Sequence, residues 1–179
     1  MDKRHILICG ERGAGKSTLI RRLLESSGLC VSGFVTVREK EADADGFFPI
    51  YLHPAAQSRE ERRFSQENLI GRCDSRSSVR CTETFESLGV AYIADAPERS
   101  VIVMDELGFL ENEATEFCSA VLRALEGETH VIAAVKEKDT PFLNAVRASE
   151  NALVVRVSQA NRDAIFEDLL PTVREWGRV

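Results

Sequence analysis

A chain of 179 residues is long enough for one domain with a sizeable core and too short for two ordinary ones. At 44% hydrophobic and 29% charged it reads as soluble and globular, which excludes a disordered chain, and its net charge of −6 argues against a broad phosphate-binding face for nucleic acid. Cys9, Cys30, Cys73, Cys81 and Cys118 are odd in number and form no CxxC pair, so reduced thiols in a cytoplasmic protein fit better than a disulfide framework or a zinc site.

The first predicted strand, Ile6 to Cys9, is apolar and short, and Gly10 follows it directly. It is too short for a signal peptide or a membrane span. A helix begins near Lys16, carries Leu19, Ile20, Leu23 and Leu24 at helical spacing, and ends at Gly28. Val31 to Arg38 and Phe47 to Leu52 are β-prone runs separated by an acidic turn, and together they predict a hairpin. The turn carboxylates lack ligand-grade spacing and read as solvated. From 54 to 82 the pattern weakens. Arg59, Arg62, Arg63, Arg72, Arg76 and Arg80 stand there against four acids, and the stretch reads as a mobile excursion with one short strand near Leu69-Ile70.

Next is a helix from Thr84 to Ala96, with Phe85, Leu88, Tyr92 and Ala96 as its buried face and Gly89 as a weak point inside it. Val101-Ile102-Val103-Met104 predicts a strand buried on both faces. A helix from Glu113 to Glu126, closed by Gly127, precedes another buried strand at Val131 to Val135. Thr140-Pro141 has the N-cap and first-position pattern of a short helix through Arg147. Leu153 to Val157 is the last strand, and Asn161 caps a final helix that Pro171 interrupts. Strands alternating with helices predict a single α/β domain over 1–179, with a mainly parallel sheet, helices on both faces and the hairpin at an edge.

Gly10-Glu11-Arg12-Gly13-Ala14-Gly15-Lys16-Ser17 matches GxxxxGK[ST] at every fixed position, between an apolar strand and an amphipathic helix. In such a P-loop, backbone N–H groups and the helix N-terminus converge on phosphates. Gly10 through Thr18 therefore form the candidate nucleotide-binding loop. Lys16 is placed to bridge the β- and γ-phosphates, Ser17 to ligate Mg2+, and Thr18 to touch the α-phosphate. Glu11 faces away, since triphosphate would repel it. Arg12 either leans over the γ-phosphate or is a solvated loop arginine, the plainer reading.

The run Val101 to Met104 followed by Asp105-Glu106 has the form of a Walker B strand. Asp105, at the strand's carboxyl end, is the second candidate magnesium ligand, and Glu106 the general base for an attacking water. Glu111 has two open readings, a member of the acidic cluster or a cap of the next helix. Lys136 has two as well, a γ-phosphate sensor or a solvated lysine. Lys136-Glu137-Lys138-Asp139 has the wrong spacing for a guanine-reading motif.

These motifs resemble the small nucleoside-triphosphatase family of thermophilic bacteria and archaea that also includes the cancer-related nucleoside triphosphatase. The resemblance runs over nearly the whole chain. It rests on Gly10 to Thr18, Gly33-Phe34-Val35-Thr36, Gly46-Phe47, Asp105-Glu106-Leu107-Gly108 with Glu111, Pro141-Phe142, and Asn161-Arg162-Asp163. The stretch from Pro54 to Thr82 departs from the family pattern. The resemblance implies a P-loop fold and magnesium-dependent hydrolysis of several nucleoside triphosphates to diphosphates with little base selectivity. It also implies that Asn161 and Arg162 lie near the base or ribose, beside the plainer reading of a helix cap. Two rival readings remain. One is a nucleotide or nucleoside kinase whose lid is the arginine-bearing stretch, the other a nucleotide-gated binding protein acting through a partner.

Overall fold

A computed structural model describes residues 3–177. Eight strands form one sheet: β1 (His5–Gly10), β2 (Cys30–Arg38), β3 (Phe48–Pro54), β4 (Leu69–Cys73), β5 (Ser78–Arg80), β6 (Ser100–Leu107), β7 (Val131–Lys136) and β8 (Ala152–Arg156). Their order is β5-β4-β3-β2-β6-β7-β1-β8. From β2 through β8 every pairing is parallel, and β3, β4 and β5 continue the sheet as an antiparallel wing.

Strand alternation divides the core between two faces. Ile6, Ile8, Val101, Val103 and Ile132 point to one face, where helices α1 (Lys16–Ser27) and α6 (Arg162–Glu175) cover them with Leu19, Leu23, Phe166 and Leu169. Leu7, Ile102, Met104 and Val131 point to the other. There they meet a helical stretch made of α2 (Thr82–Thr84), a π turn (Phe85–Gly89) and α3 (Val90–Ala94), together with α4 (Thr115–Glu126) and α5 (Pro141–Arg147). With helices on both faces, the central strands need no polar side, hence their unbroken apolar runs. Among the described residues no helix is long and apolar enough to cross a membrane. All five cysteines are free, and burial pushes the Cys118 thiol up to about 12.

Four expectations need correction. The 54–82 stretch is not an excursion with one short strand. A second hairpin, β4–β5, extends the first, so β5 and not β3 is the outer edge. Its turn is held by Asp74, whose Oδ1 accepts from the Arg76 and Ser77 N–H groups, both at 2.6 Å. In the helix predicted over 84–96, the Val90 N–H reaches back to the Phe85 carbonyl, and this π turn rotates the buried face. Phe85, Gly89 and Ile93 are buried, whereas Leu88, Tyr92 and Ala96 pack at its margin. Gly89 is there because space runs out: a Cβ would lie 2.6 Å from the Phe117 ring. The following helix begins at Thr115 rather than Glu113, and its cap comes from Glu86 of the π turn, which accepts from the Phe117 N–H at 3.0 Å. Pro171 lies inside α6 without interrupting it.

The carboxylates of the first hairpin turn serve the wing, since Arg72 reaches Asp43 at 3.0 Å and Asp45 at 2.8 Å. At the start of β1, His5 is fully buried and its Nδ1 accepts from the Val131 N–H at 3.2 Å. Burial, reinforced by Arg4 and His130, lowers its pKa to about 4 from the ordinary 6.5. A neutral histidine in the fold means that the unfolded chain binds the proton first, so stability is lost as pH falls from 6.5 toward 4. Between pH 7 and 5 this loss is about 2 kcal/mol. Urea unfolding of wild type and His5→Asn at both pH values should show a steeper decline in wild type by about that amount, and equal slopes would exclude the effect.

Candidate active site

The loop after β1 turns into α1 through Gly15, which adopts the left-handed conformation (φ 98°) at the helix N-cap. Only glycine fits comfortably, because a Cβ there would also meet the Arg162 Cδ at 2.8 Å. Lys16 follows and is 6% exposed. Its Nζ donates to the carbonyls of Gly10 at 2.8 Å and Glu11 at 3.1 Å, and lies 3.2 Å from Glu106 Oε1. An ammonium has three protons, and all three find acceptors at the mouth of the loop.

The acidic pair reaches the loop from two strands away, since β7 separates β1 from β6. Asp105 and Leu107 pair with consecutive residues of β7, Ala134 and Val135, so Glu106 is an extra residue bulged out of the ladder. The bulge turns its carboxylate toward Lys16. On the other side β2 packs tightly on β6, where a Cβ on Gly33 would lie 2.1 Å from the Val103 carbonyl. This approach puts the Thr36 hydroxyl 3.3 Å from the Glu106 N–H, which donates to it. Composition and spacing did not mark Thr36 as a site residue; its signal lay in the Gly33-Phe34-Val35-Thr36 motif.

Ser17 Oγ donates to Asp105 Oδ1 at 2.8 Å. Burial pushes Asp105 up to about 6, and the Ser17 hydroxyl and Lys16 hold it below what burial alone would give. A carboxylate so desolvated favours an added positive charge. Hydroxyl and carboxylate oxygens suit a hard divalent cation, with the remaining positions left to water and phosphate oxygens. Among the described residues no group of three His, Cys, Asp or Glu could hold a metal alone. The Ser17–Asp105 pair therefore fits magnesium shared with a phosphate ligand, rather than a closed protein cage.

Of the two residues with open readings, Glu111 is placed by its hydrogen bond, and Lys136 by its packing alone. Glu111 is buried and accepts the Gly108 N–H, so it shapes the turn after Asp105-Glu106 and caps no helix. Lys136 lies over the Phe109 ring at 5.3 Å and packs against Gly108. At the remaining candidates, Glu11 and Arg12 are exposed on the loop. Asn161 stands at the N-cap position of α6 but makes no cap bond, its side chain accepting from the Ser158 N–H at 2.7 Å and donating to the Arg156 carbonyl at 3.1 Å. Arg162 packs directly against the loop at Gly15.

A family model described as NTPase matches residues 5–170. The chain belongs to the NTPase family. Among its relatives, the nucleoside-triphosphatase THEP1 of Thermotoga maritima is 27% identical, the alignment covering 94% of this chain and 95% of that protein. The cancer-related nucleoside-triphosphatase homolog of Mus musculus is 28% identical over 96% of this chain and 97% of its own. The crystal structure of THEP1 from Aquifex aeolicus superposes with a TM-score of 0.73 at 24% identity, covering 94% of this chain and 98% of that one, and shows the same α/β P-loop fold. The NTPase family match thus spans both the P-loop and the acidic pair.

Proposed function

We propose that this NTPase family member hydrolyses nucleoside 5'-triphosphates to diphosphate and phosphate with magnesium, accepting several bases. The supporting observation is the meeting of Lys16, the Ser17–Asp105 pair and Glu106 at one end of the sheet, on the lip of a P-loop. Triphosphate oxygens at the loop take over the Lys16 protons now directed to Glu106, which leaves Glu106 as a base beside the γ-phosphate. A water oxygen attacks the γ-phosphorus and gives its proton to Glu106. The bond from that phosphorus to the β,γ-bridging oxygen breaks, and the diphosphate leaves. Ser17 and Asp105 would hold magnesium, which supplies charge neutralisation on the phosphate oxygens when bound.

Broad base tolerance is supported by the missing guanine-reading motif and by what lies beside the loop. Asn161 is committed to Ser158 and Arg156, so Arg162 is the residue left to meet base or ribose. A guanidinium contacts a ring face without distinguishing bases. With magnesium, ATP, GTP, CTP and UTP should be cleaved with kcat/KM values within about tenfold of one another, about 1.4 kcal/mol of discrimination. Chelation should abolish phosphate release, and Asp105→Asn should raise the magnesium concentration needed. A thousandfold preference for one base, or full activity without divalent cation, would overturn the corresponding part. Transfer of the γ-phosphate to a small acceptor is a second reading, favoured by Arg59 and Arg62 lining the space beside Ser17 and Asp105. Acceptor-stimulated turnover far above hydrolysis would move the assignment there.

A further inference from the structure

Beside the metal-side residues lies a cavity of about 530 Å³, open to solvent. Its floor includes Ser17 and Asp105, and one wall is the α1 stripe Ile20, Arg21 and Leu24. A different side of the same helix meets α6 through Arg22 and Asp163, 2.5 Å apart, so the cavity lies away from the flank where Arg162 packs on Gly15. The remaining wall is β2, with Val35 and Val37, and the roof is the segment after β3, which contributes Arg59, Arg62 and Phe64.

Its charges are not balanced internally. Glu25 on the rim is engaged by Arg21 at 3.1 Å. Among the described residues neither Arg59 nor Arg62 forms an ion pair with a carboxylate, and the Arg62 Nε is buried without a hydrogen-bond partner. A buried guanidinium N–H left unmatched costs free energy that an anionic ligand recovers. Phe64 is 44% exposed, the most exposed large apolar side chain among the described residues, and its ring is held edge-on by Tyr51 and His53 at 5.1 and 5.0 Å. A fixed aromatic face, an aliphatic wall and the two roof arginines, neither of them in an ion pair, call for a ligand with a flat body and a doubly charged end. The volume matches a molecule of nucleotide size.

We propose that this cavity is a second ligand site, which takes a nucleoside-sized phosphomonoester with its phosphate on Arg59 and Arg62 and its ring against Phe64 and the β2 wall. The proposal rests on the P-loop reading only for where the triphosphate lies. It holds whether or not phosphate is transferred between the two ligands.

The test fills the P-loop first, with magnesium and a non-hydrolysable triphosphate analogue, and then titrates AMP, GMP, CMP and UMP by calorimetry. At least one monophosphate should bind saturably to the filled protein. Arg59→Gln and Arg62→Gln should each weaken that binding tenfold or more, and Phe64→Ala should weaken it severalfold while leaving inorganic phosphate binding unchanged. No saturable binding to the filled protein, or equal affinity in both arginine variants, would overturn the proposal. Inorganic phosphate binding as tightly as every monophosphate would also overturn it, by reducing the cavity to a bare anion site. Failure of the P-loop reading would show separately, as absent binding of the triphosphate analogue in the first step. Arg59 and Phe64 are exposed, so their variants should fold, and retained analogue binding checks that they do.

Discussion

Lys16→Ala should release almost no phosphate and should bind triphosphate far more weakly than nucleoside. The side chain is nearly buried, and its three protons are aimed at the loop carbonyls of Gly10 and Glu11 and at Glu106. Where phosphates enter, that charge opposes theirs at short range in a partly desolvated site, and its removal costs about 10²- to 10³-fold in turnover. A base or ribose gains nothing from Lys16, which is why nucleoside binding should hardly change. The variant also leaves the Glu106 carboxylate without its cation, so a thermal melt must accompany the assay. Wild-type turnover in a folded Lys16→Ala protein would remove the P-loop from the mechanism.

Glu106→Gln should separate binding from chemistry. The substitution keeps the side chain's size and the Thr36 hydroxyl's contact with the main-chain N–H. It leaves Ser17–Asp105 and the Lys16 contacts with the loop intact, so triphosphate affinity should stay within a few-fold. A carboxamide cannot take a proton from water, and turnover should fall by about 10²- to 10⁴-fold. Measured together, phosphate release and analogue binding should show a protein that retains triphosphate without cleaving it. Full activity in Glu106→Gln would exclude Glu106 as the base, under hydrolysis or transfer alike.

The parts of this site that the sequence exposes are those whose physics is local. A P-loop is a run of consecutive residues whose backbone forms the cradle, so Gly10 through Thr18 show it whatever the rest of the chain does. The strand ending in Asp105-Glu106 is legible for a similar reason, since a doubly covered strand must be apolar until it leaves the core. What stayed hidden depends on partners far along the chain. Thr36 matters because Gly33 lets β2 close on β6, and the Gly33-Phe34-Val35-Thr36 motif does not by itself say which strand it closes on. The Phe117 ring lies against Gly89 inside the π turn, a long-range contact that no helical periodicity encodes. The β4–β5 hairpin is short and carries arginines at the sheet edge, so alternation is weak. Its one readable signal was Asp74-Ser75-Arg76-Ser77, a turn closed by the aspartate on its own backbone. Glu111 was ambiguous because an acid before a helix looks like a cap until its burial beneath the Gly108 turn is seen.

The placing of β7 between the P-loop strand and the acidic strand bears on how the site comes into being. Residues 10–18 and 105–106 are both made before Val131–Lys136, the strand that spaces them, leaves the ribosome. Until it inserts, no strand ties β1 to β6, and Lys16 and Glu106 have no fixed separation. Pairings of such long sequence separation form late in folding. A nascent chain stopped near residue 120 should therefore hold every phosphate-handling residue yet gain no protection from nucleotide, whereas a chain extended past β8 and α6 should. Nucleotide can stabilise this protein only once β7 has joined the P-loop strand to the acidic strand.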